Sequence, residues 1–503
     1  MRPDSTATVP QAFTEVVQAV IERPIFAGAS FGLAVHDLDL RRPMYEHNSR
    51  EIFAAASTTK IPTVTFALAL LRPDFRFRTR LVRSGELDGG GTLRGDLVLI
   101  ASGDPNLSGR VASNDTLDFQ NIDHSLSLPK ASLVERSPLR VIESFAAGVR
   151  DAGIRRITGT VLVDTHLFPE GQREVGTGTT VSPIAVNDNL IDLIVTAGAC
   201  AGERLSYRML PQSGYVRFKD LAATGNPGSA PALTFSSEQR ELDGTWSVAI
   251  TGTVPAGTTY LTRFPVESPS RFARTLLVEA LAARGIVVEG ALFGSSVTPV
   301  ATSADAKVVF EHVSPPLSEA AKVAMKVSQN LHAEMLIPVI GATLRGARGA
   351  AAAAVGYACG AELFSAWGVD MTGACQGDAG GACGFYSADF MCRLLAHIAS
   401  SDIAEPFIAS LPVMGRDGTL WNIQPTSPAA GHVRAKTGTI SYNDCVHKGL
   451  LFSAKGLAGY VDAKSGRRLA FTTYLANFNR VASSDLDPGQ ALGELAAAIY
   501  EHL

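Results

Sequence analysis

The run Ala55-Ala56-Ser57-Thr58-Thr59-Lys60-Ile61-Pro62-Thr63-Val64 decides how the rest of the chain is read. Ser57 and Lys60 stand at i and i+3, so a helical backbone puts a hydroxyl and an amine on one face. The surrounding residues 51–71 read as a loop that turns into an apolar helix. Pro62 suits its beginning, because a missing N–H costs little in a first turn. The helix is therefore expected to start close to Ser57 or Thr58 and to end at Arg72-Pro73. Its apolar continuation from Ile61 to Leu71 argues that Lys60 is buried rather than solvated. Upstream, residues 30–39 alternate enough for a strand with a polar end.

A serine hydroxyl is a poor nucleophile until a base removes its proton. Lysine serves as that base only when neutral, and burial and a nearby second cation both push its pKa down. Two later patterns supply what is missing. Ser328-Gln329-Asn330 sits between two helical patterns, and Lys436-Thr437-Gly438-Thr439 opens a Thr- and Gly-rich segment with strand character. An exposed strand edge there would take an extended substrate through main-chain hydrogen bonds, with Gly438 leaving room for close approach. Lys436, Thr437 and Thr439 would hold a substrate carboxylate, Ser328 would relay a proton to the leaving amine, and Asn330 would bind a substrate amide. The helix start would also direct N–H groups toward developing negative charge. Each pattern recurs elsewhere, at Ser127-Leu128-Pro129-Lys130, Ser441-Tyr442-Asn443 and Lys464-Ser465-Gly466, so context separates the sets: Pro129 spoils the first of these as a helix interior.

Composition bounds the partners. The 503 residues carry 44 Lys+Arg and 48 Asp+Glu, a net charge of −4, which argues against nucleic acid. With 46% hydrophobic and 18% charged residues the chain has material for a large core. No uncharged apolar run reaches about 18 residues, so no integral membrane segment is expected. The N-terminal residues lack the apolar core of a signal peptide, which reads as a trimmed mature chain or a cytoplasmic protein. The six cysteines are too far apart for zinc knuckles. Cys375 and Cys383 flank a Gly-rich loop and read either as a disulfide in an oxidising compartment or as thiols. No phosphate loop or HExxH pattern occurs, so neither cofactor nor metal is expected, and His332 reads as a helix-packing residue.

From residue 74 to 265 short strand-like runs alternate with Gly, Asp and Pro, near 95–101, 158–164 and 244–254. Helical patterns return at 268–284, 317–327 and the Ala-rich 342–366; strands follow near 450–461 and 468–476, and a last helix at 489–503. The organisation expected is an α/β shell, residues 1–73 and 266–503, split by a β-rich insertion, 74–265.

The ordered set SxxK, SxN and KTG resembles the penicillin-recognising serine enzymes. The chain places residues 61–327 between Lys60 and Ser328, far more than a class A β-lactamase has. That layout is similar to the D-alanyl-D-alanine carboxypeptidases and endopeptidases of the penicillin-binding protein 4 type. Further similar stretches are Gly95-Asp96-Leu97-Val98-Leu99, Gly103-Asp104-Pro105-Asn106-Leu107, Val163-Asp164-Thr165, Leu411-Pro412-Val413 with Asp417-Gly418-Thr419, and Leu457-Ala458-Gly459-Tyr460. The resemblance implies an α/β (α+β) fold: a transpeptidase-like domain with an antiparallel sheet and a helical lobe, interrupted by a large insertion. It implies Ser57 as acylated nucleophile, Lys60 as base, and Ser328 and Asn330 from the helical lobe. Lys436, Thr437 and Thr439 would bind the terminal carboxylate, and the N–H groups of Ser57 and Thr439 would form the oxyanion hole. Asp164 would contact the amine of a peptide side chain, or else simply end a strand.

The expected activity is release of D-Ala from peptidoglycan peptides in a periplasmic or extracellular setting, with β-lactams as inhibitors. Two other readings stand beside it: a β-lactamase or esterase on the same scaffold, and a penicillin-sensing or wall-binding protein without turnover. No Glu-x-x-x-Asn pattern lies between Ser328 and Lys436, which speaks against the β-lactamase. Two departures bear on substrate range. Asp378-Ala379-Gly380-Gly381-Ala382-Cys383-Gly384 replaces the family's Asp-Gly-Ser-Gly-Leu-Ser-Arg, and residues 440–456 replace a short turn.

Overall fold

The strand expected over residues 30–39 is Ser30–Asp37; it lies inside an antiparallel sheet and is buried on both faces, without the half-exposed alternation read from the sequence. The strand order is Arg42–His47, Ser30–Asp37, Arg468–Ala476, Gly449–Asp462, Val433–Asp444, and Phe478–Arg480 pairs with Gly449–Asp462. Every one of these pairings is antiparallel. Side chains two residues apart share a face. Phe31, Leu33, Val35, Leu469, Phe471 and Leu475 therefore form one apolar layer with Phe13 and Val17 of helix Gln11–Ile21 and Leu492, Leu495 and Ile499 of helix Pro488–His502. Ala34 and Thr472 meet helix Ala388–Ala399 on the other face, where Cys392 Sγ lies 3.2 Å from the Ala34 carbonyl and 3.5 Å from Thr472 Oγ1. A one-residue slip of any strand would exchange these faces.

The computed structural model describes residues 9–126, 131–290, 306–446, 449–480 and 487–503. The chain forms two units. The first comprises Met1–Pro73, Ala321–Ile337 and Tyr357–Leu503, and holds the sheet above; the second comprises Asp74–Ala320 and Pro338–Gly356. In the first unit, Val433–Asp444 is one edge strand of the sheet, opposite Arg42–His47. Within 440–456 the two strands stay paired from Ile440↔Ala454 to Asp444↔Gly449, with a bulge between Ile440 and Ser441. The Ala-rich run 342–366 is not one helix. Helix Asn330–Arg345 ends and helix Ala351–Ala366 begins around Gly346 and Gly349, whose φ values of 66° and 58° are left-handed, where glycine meets no Cβ penalty.

The second unit is rich in strands, in sheets built around Leu190–Thr196, Trp246–Pro255, Leu97–Ile100 and Arg156–Ile157. Its core joins Leu97, Ile191 and Val248 to Phe145 of helix Arg140–Asp151 and to Phe272, Leu276 and Leu281 of helix Pro269–Ala282. The latter helix buries its apolar face in the insertion's core. Residues 266–320, and also 338–356, accordingly group with the second unit, whereas the sequence reading ends the insertion at 265.

Candidate active site

Residues Ala56–Thr59 make a 3-10 turn that feeds helix Lys60–Leu71. Thr58 Oγ1 donates to the Ala55 carbonyl at 2.8 Å and ties the turn down. Ala56 has φ 49°, left-handed for a residue with a Cβ, at a typical cost of about 1–2 kcal/mol. Such strain persists where surrounding contacts impose it. The turn puts Lys60 Nζ 3.0 Å from Ser57 Oγ. Nζ also donates to Asn330 Oδ1 at 2.5 Å and to the Gly380 carbonyl at 2.6 Å. Lys60 is fully buried, as the apolar helix required.

The other two patterns meet each other. Lys436 Nζ donates to Ser328 Oγ at 2.8 Å and to the Thr437 carbonyl at 2.8 Å. Burial first, then the neighbouring cations Lys60 and Lys455, push the Lys436 ammonium well below its ordinary value. Ser328 adopts φ 63° in the break between helices Leu317–Lys326 and Asn330–Arg345. The strand carrying Lys436 runs against the turn that carries Ser57. A Cβ on Gly438 would come within 2.5 Å of the Ala55 carbonyl O and 3.3 Å of the Ser57 N. Gly438 thus makes room for the protein's own backbone, not only for a substrate. On the opposite face Thr437 Oγ1 donates to Thr419 Oγ1 at 2.8 Å, and Lys455 Nζ donates to Thr439 Oγ1 at 2.9 Å.

The structure joins Ser57, Lys60 and Asn330 in one hydrogen-bonded set and Ser328 with Lys436 in another, both in the first unit. Asp164 ends strand Val161–Asp164 in the second unit, and its carboxylate faces His166, 2.9 Å from the backbone N and 2.6 Å from Nδ1. Of the competing matches, Ser441-Tyr442-Asn443 is exposed on the hairpin, Lys464 pairs with Glu501 at 2.8 Å, and residues 127–130 lie outside the described residues. His332 is buried on its helix. Cys375 and Cys383 are exposed free thiols.

The sequence suggests no role for the Gly380 carbonyl, Glu334, Thr419 or Lys455, although Gly380 and Thr419 lie in stretches already singled out. A backbone carbonyl has no side-chain signature, and the other three act through partners far away in the chain. Among the described residues one trio, Asp123, His124 and Asp188 in the second unit, stands within reach of a common metal ion. Arg110 Nη2 already bonds Asp123 at 2.5 Å and Asp188 at 2.8 Å, so a guanidinium fills the cation's role there.

Compared with proteins of known kind, this chain is 30% identical over 480 residues to the D-alanyl-D-alanine carboxypeptidase of Actinomadura sp. (strain R39), covering 91% of this chain and 80% of that one. It is 21% identical to the D-alanyl-D-alanine carboxypeptidase DacB of Haemophilus influenzae, covering 92% and 87%. The solved structure of penicillin binding protein 4 from Haemophilus influenzae superposes with a TM-score of 0.72 at 18% identity, over 97% of this chain and 98% of that one, which establishes the fold. Residues 13–496 match the D-Ala-D-Ala carboxypeptidase 3 (S13) family of peptidases, and the chain belongs to that family.

Proposed function

We propose that the chain releases D-Ala from peptidoglycan peptides through an acyl-enzyme on Ser57, in the periplasm or outside the cell, and that β-lactams trap the same intermediate. One observation carries the reading: a buried amine, Lys60 Nζ, lies 3.0 Å from Ser57 Oγ. Ser57 Oγ attacks the penultimate D-Ala carbonyl while its proton passes to Nζ. The N–H groups of Ser57 and Thr439 receive the developing oxyanion, a duty that fixed donors perform without reorganising. Lys436 and Ser328, already 2.8 Å apart, offer a route for the proton that the departing D-Ala amine must gain. Thr437, Thr439 and Lys436 hold the terminal carboxylate, and Asn330 the peptide amide. Water then attacks the acyl-enzyme and frees Ser57. The replaced stretch 378–384 does not weigh toward a protein without turnover, since it contributes the Gly380 carbonyl to Lys60.

The test is mass spectrometry after penicillin treatment, with D-Ala release from a muropeptide panel including cross-linked dimers. Wild type should gain one penicillin-sized adduct on the Ser57 peptide and release D-Ala, and Ser57→Ala should do neither. Folded wild type without an adduct would sink the reading. An adduct without D-Ala release would favour a penicillin sensor, and fast nitrocefin turnover a β-lactamase.

A further inference from the structure

Two carboxylates grip the segment that follows strand Ala374–Gln376. Glu334 Oε1 accepts from the amides of Ala379 at 3.1 Å and Gly380 at 2.7 Å. Asp378 accepts from the amides of Gly381 at 2.8 Å, Ala382 at 2.6 Å and Cys383 at 3.0 Å. Five successive N–H groups are pinned, and the Gly380 carbonyl is left on Lys60 Nζ at 2.6 Å. The fit leaves little slack. A Cβ on Gly380 would lie 3.0 Å from Glu334 Oε1, and one on Gly381 would lie 2.1 Å from the Ala56 carbonyl O. Glu334 stands one helical turn after Asn330. That helix therefore supplies Nζ with one acceptor directly, through Asn330 Oδ1, and a second through the loop.

The arrangement matters because a neutral amine has two N–H bonds and one lone pair. The Gly380 carbonyl and Asn330 Oδ1 can only accept, so each takes a hydrogen. In the neutral amine that leaves the lone pair for Ser57 Oγ, which lies 3.0 Å from Nζ and 3.5 Å from the Gly380 carbonyl O. Without a fixed Gly380 carbonyl the amine can rotate, and misplacement of a catalytic group by about 1 Å costs on the order of a hundredfold in rate.

We propose that Glu334 is a positioning residue for acylation: by holding the amides of Ala379 and Gly380 it fixes the Gly380 carbonyl and so turns the Lys60 lone pair onto the Ser57 proton. This rests on the assignment of Ser57 and Lys60 as nucleophile and base. A pH signature follows. Burial first, then the charge of Asp378, push the Glu334 carboxyl up to about 7, against the two amides and the pull of Lys60 when that amine is charged; Tyr357 also faces it. Below that pH Glu334 gains a proton, its hold on the two amides weakens, and acylation slows.

The experiment follows acylation of the full chain by a fluorescent penicillin from pH 5 to 9. In Glu334→Ala the acylation rate constant should fall by about 30- to 100-fold, with penicillin binding within about threefold of wild type. Glu334→Gln keeps a carbonyl acceptor but no charge, as protonated Glu334 does, so at every pH it should run near the acid-side rate of wild type, above Glu334→Ala and below wild type at pH 8. It cannot take up the proton, so it should lack the fall through about pH 7 that wild type shows. A wild-type rate in Glu334→Ala, or a loss confined to penicillin binding, overturns the proposal. If Glu334→Ala does not fold, Glu334→Gln decides alone, and an unchanged pH profile overturns it. Should wild type form no Ser57 adduct, the assignment of nucleophile and base fails first; wild-type acylation with unaffected Glu334 variants sinks only the role of Glu334.

Discussion

At the scale of single residues the site is a problem of protons held close together. Lys60 and Lys436 are both buried, and the charge of Lys60 disfavours a charge on Lys436. Lys455 is a third cation in the same field, bonded to Thr439 across the hairpin at 2.9 Å. Burial lowers it, and Asp487 offsets part of that effect. On the proposed reading, in which Thr439 holds the substrate carboxylate, Lys455 beside it shares that hold and takes no part in proton transfer. Lys455→Met should therefore raise KM for a D-Ala-D-Ala peptide about tenfold, the worth of one hydrogen bond to a charged group, with kcat within about threefold. Steady-state kinetics on a carboxylate substrate and its carboxamide analogue check this. The carboxylate should lose its advantage in the variant, and a change in kcat alone would contradict it.

At the scale of elements the strand Val433–Asp444 and the turn that carries Ser57 are fitted backbone to backbone. In Gly438→Ala the new methyl would stand 2.5 Å from the Ala55 carbonyl O, and backbone cannot swing aside as a flexible side chain can. Acylation by penicillin should fall by about a hundredfold or more while the far-UV circular dichroism spectrum stays that of wild type. Near-normal labelling would show that strand and turn part without loss. Much of this layout was legible in the sequence. The strand at residues 30–39, the apolar run after Lys60 and the order of the three motifs each report local backbone or side-chain chemistry, and each has its counterpart in the structure, although the strand is buried on both faces and does not alternate. What stayed hidden is non-local. The 342–366 run looked continuous because alanine favours helix throughout, while the break depends on two glycines turning left-handed. Helix Pro269–Ala282 read correctly as a helix, but nothing local says which core takes its apolar face. Glu334 looked like any helical glutamate because its partners, two backbone amides, lie more than forty residues away.

At the scale of the whole molecule the second unit carries an electrostatic load of its own. Its buried centre sets Arg110 against Asp123 and Asp188, and His124 against Asp188 at 2.9 Å and Asp192 at 2.8 Å. Asn187, Asp188 and Asn189 take φ values of 50°, 55° and 55°, a left-handed run tolerable for short amide and carboxylate side chains when contacts hold it. Burial alone would lower the His124 pKa, but the charges of Asp192 and Asp123 outweigh it and raise the imidazolium well above its ordinary 6.5. A group raised in the folded state stabilises fully below its unfolded pKa, and that stability is lost as pH rises through the folded value. Asp123 runs the other way. Burial would raise it, but Arg110 and His124 hold it below 3.8, so its contribution is present above that value and lost in acid. The unit should therefore be most stable in mildly acidic solution and weaken on the alkaline side of about 6.5. His124→Gln removes the imidazolium and leaves its carboxylates short of a counter-charge, which for a buried pair costs about 3–5 kcal/mol. Calorimetry of the full chain should show that deficit at pH 5.5 and a smaller one at pH 9, because wild type by then has begun to lose the same interaction. A deficit of constant size across that range would mean that His124 acts by packing and not by charge.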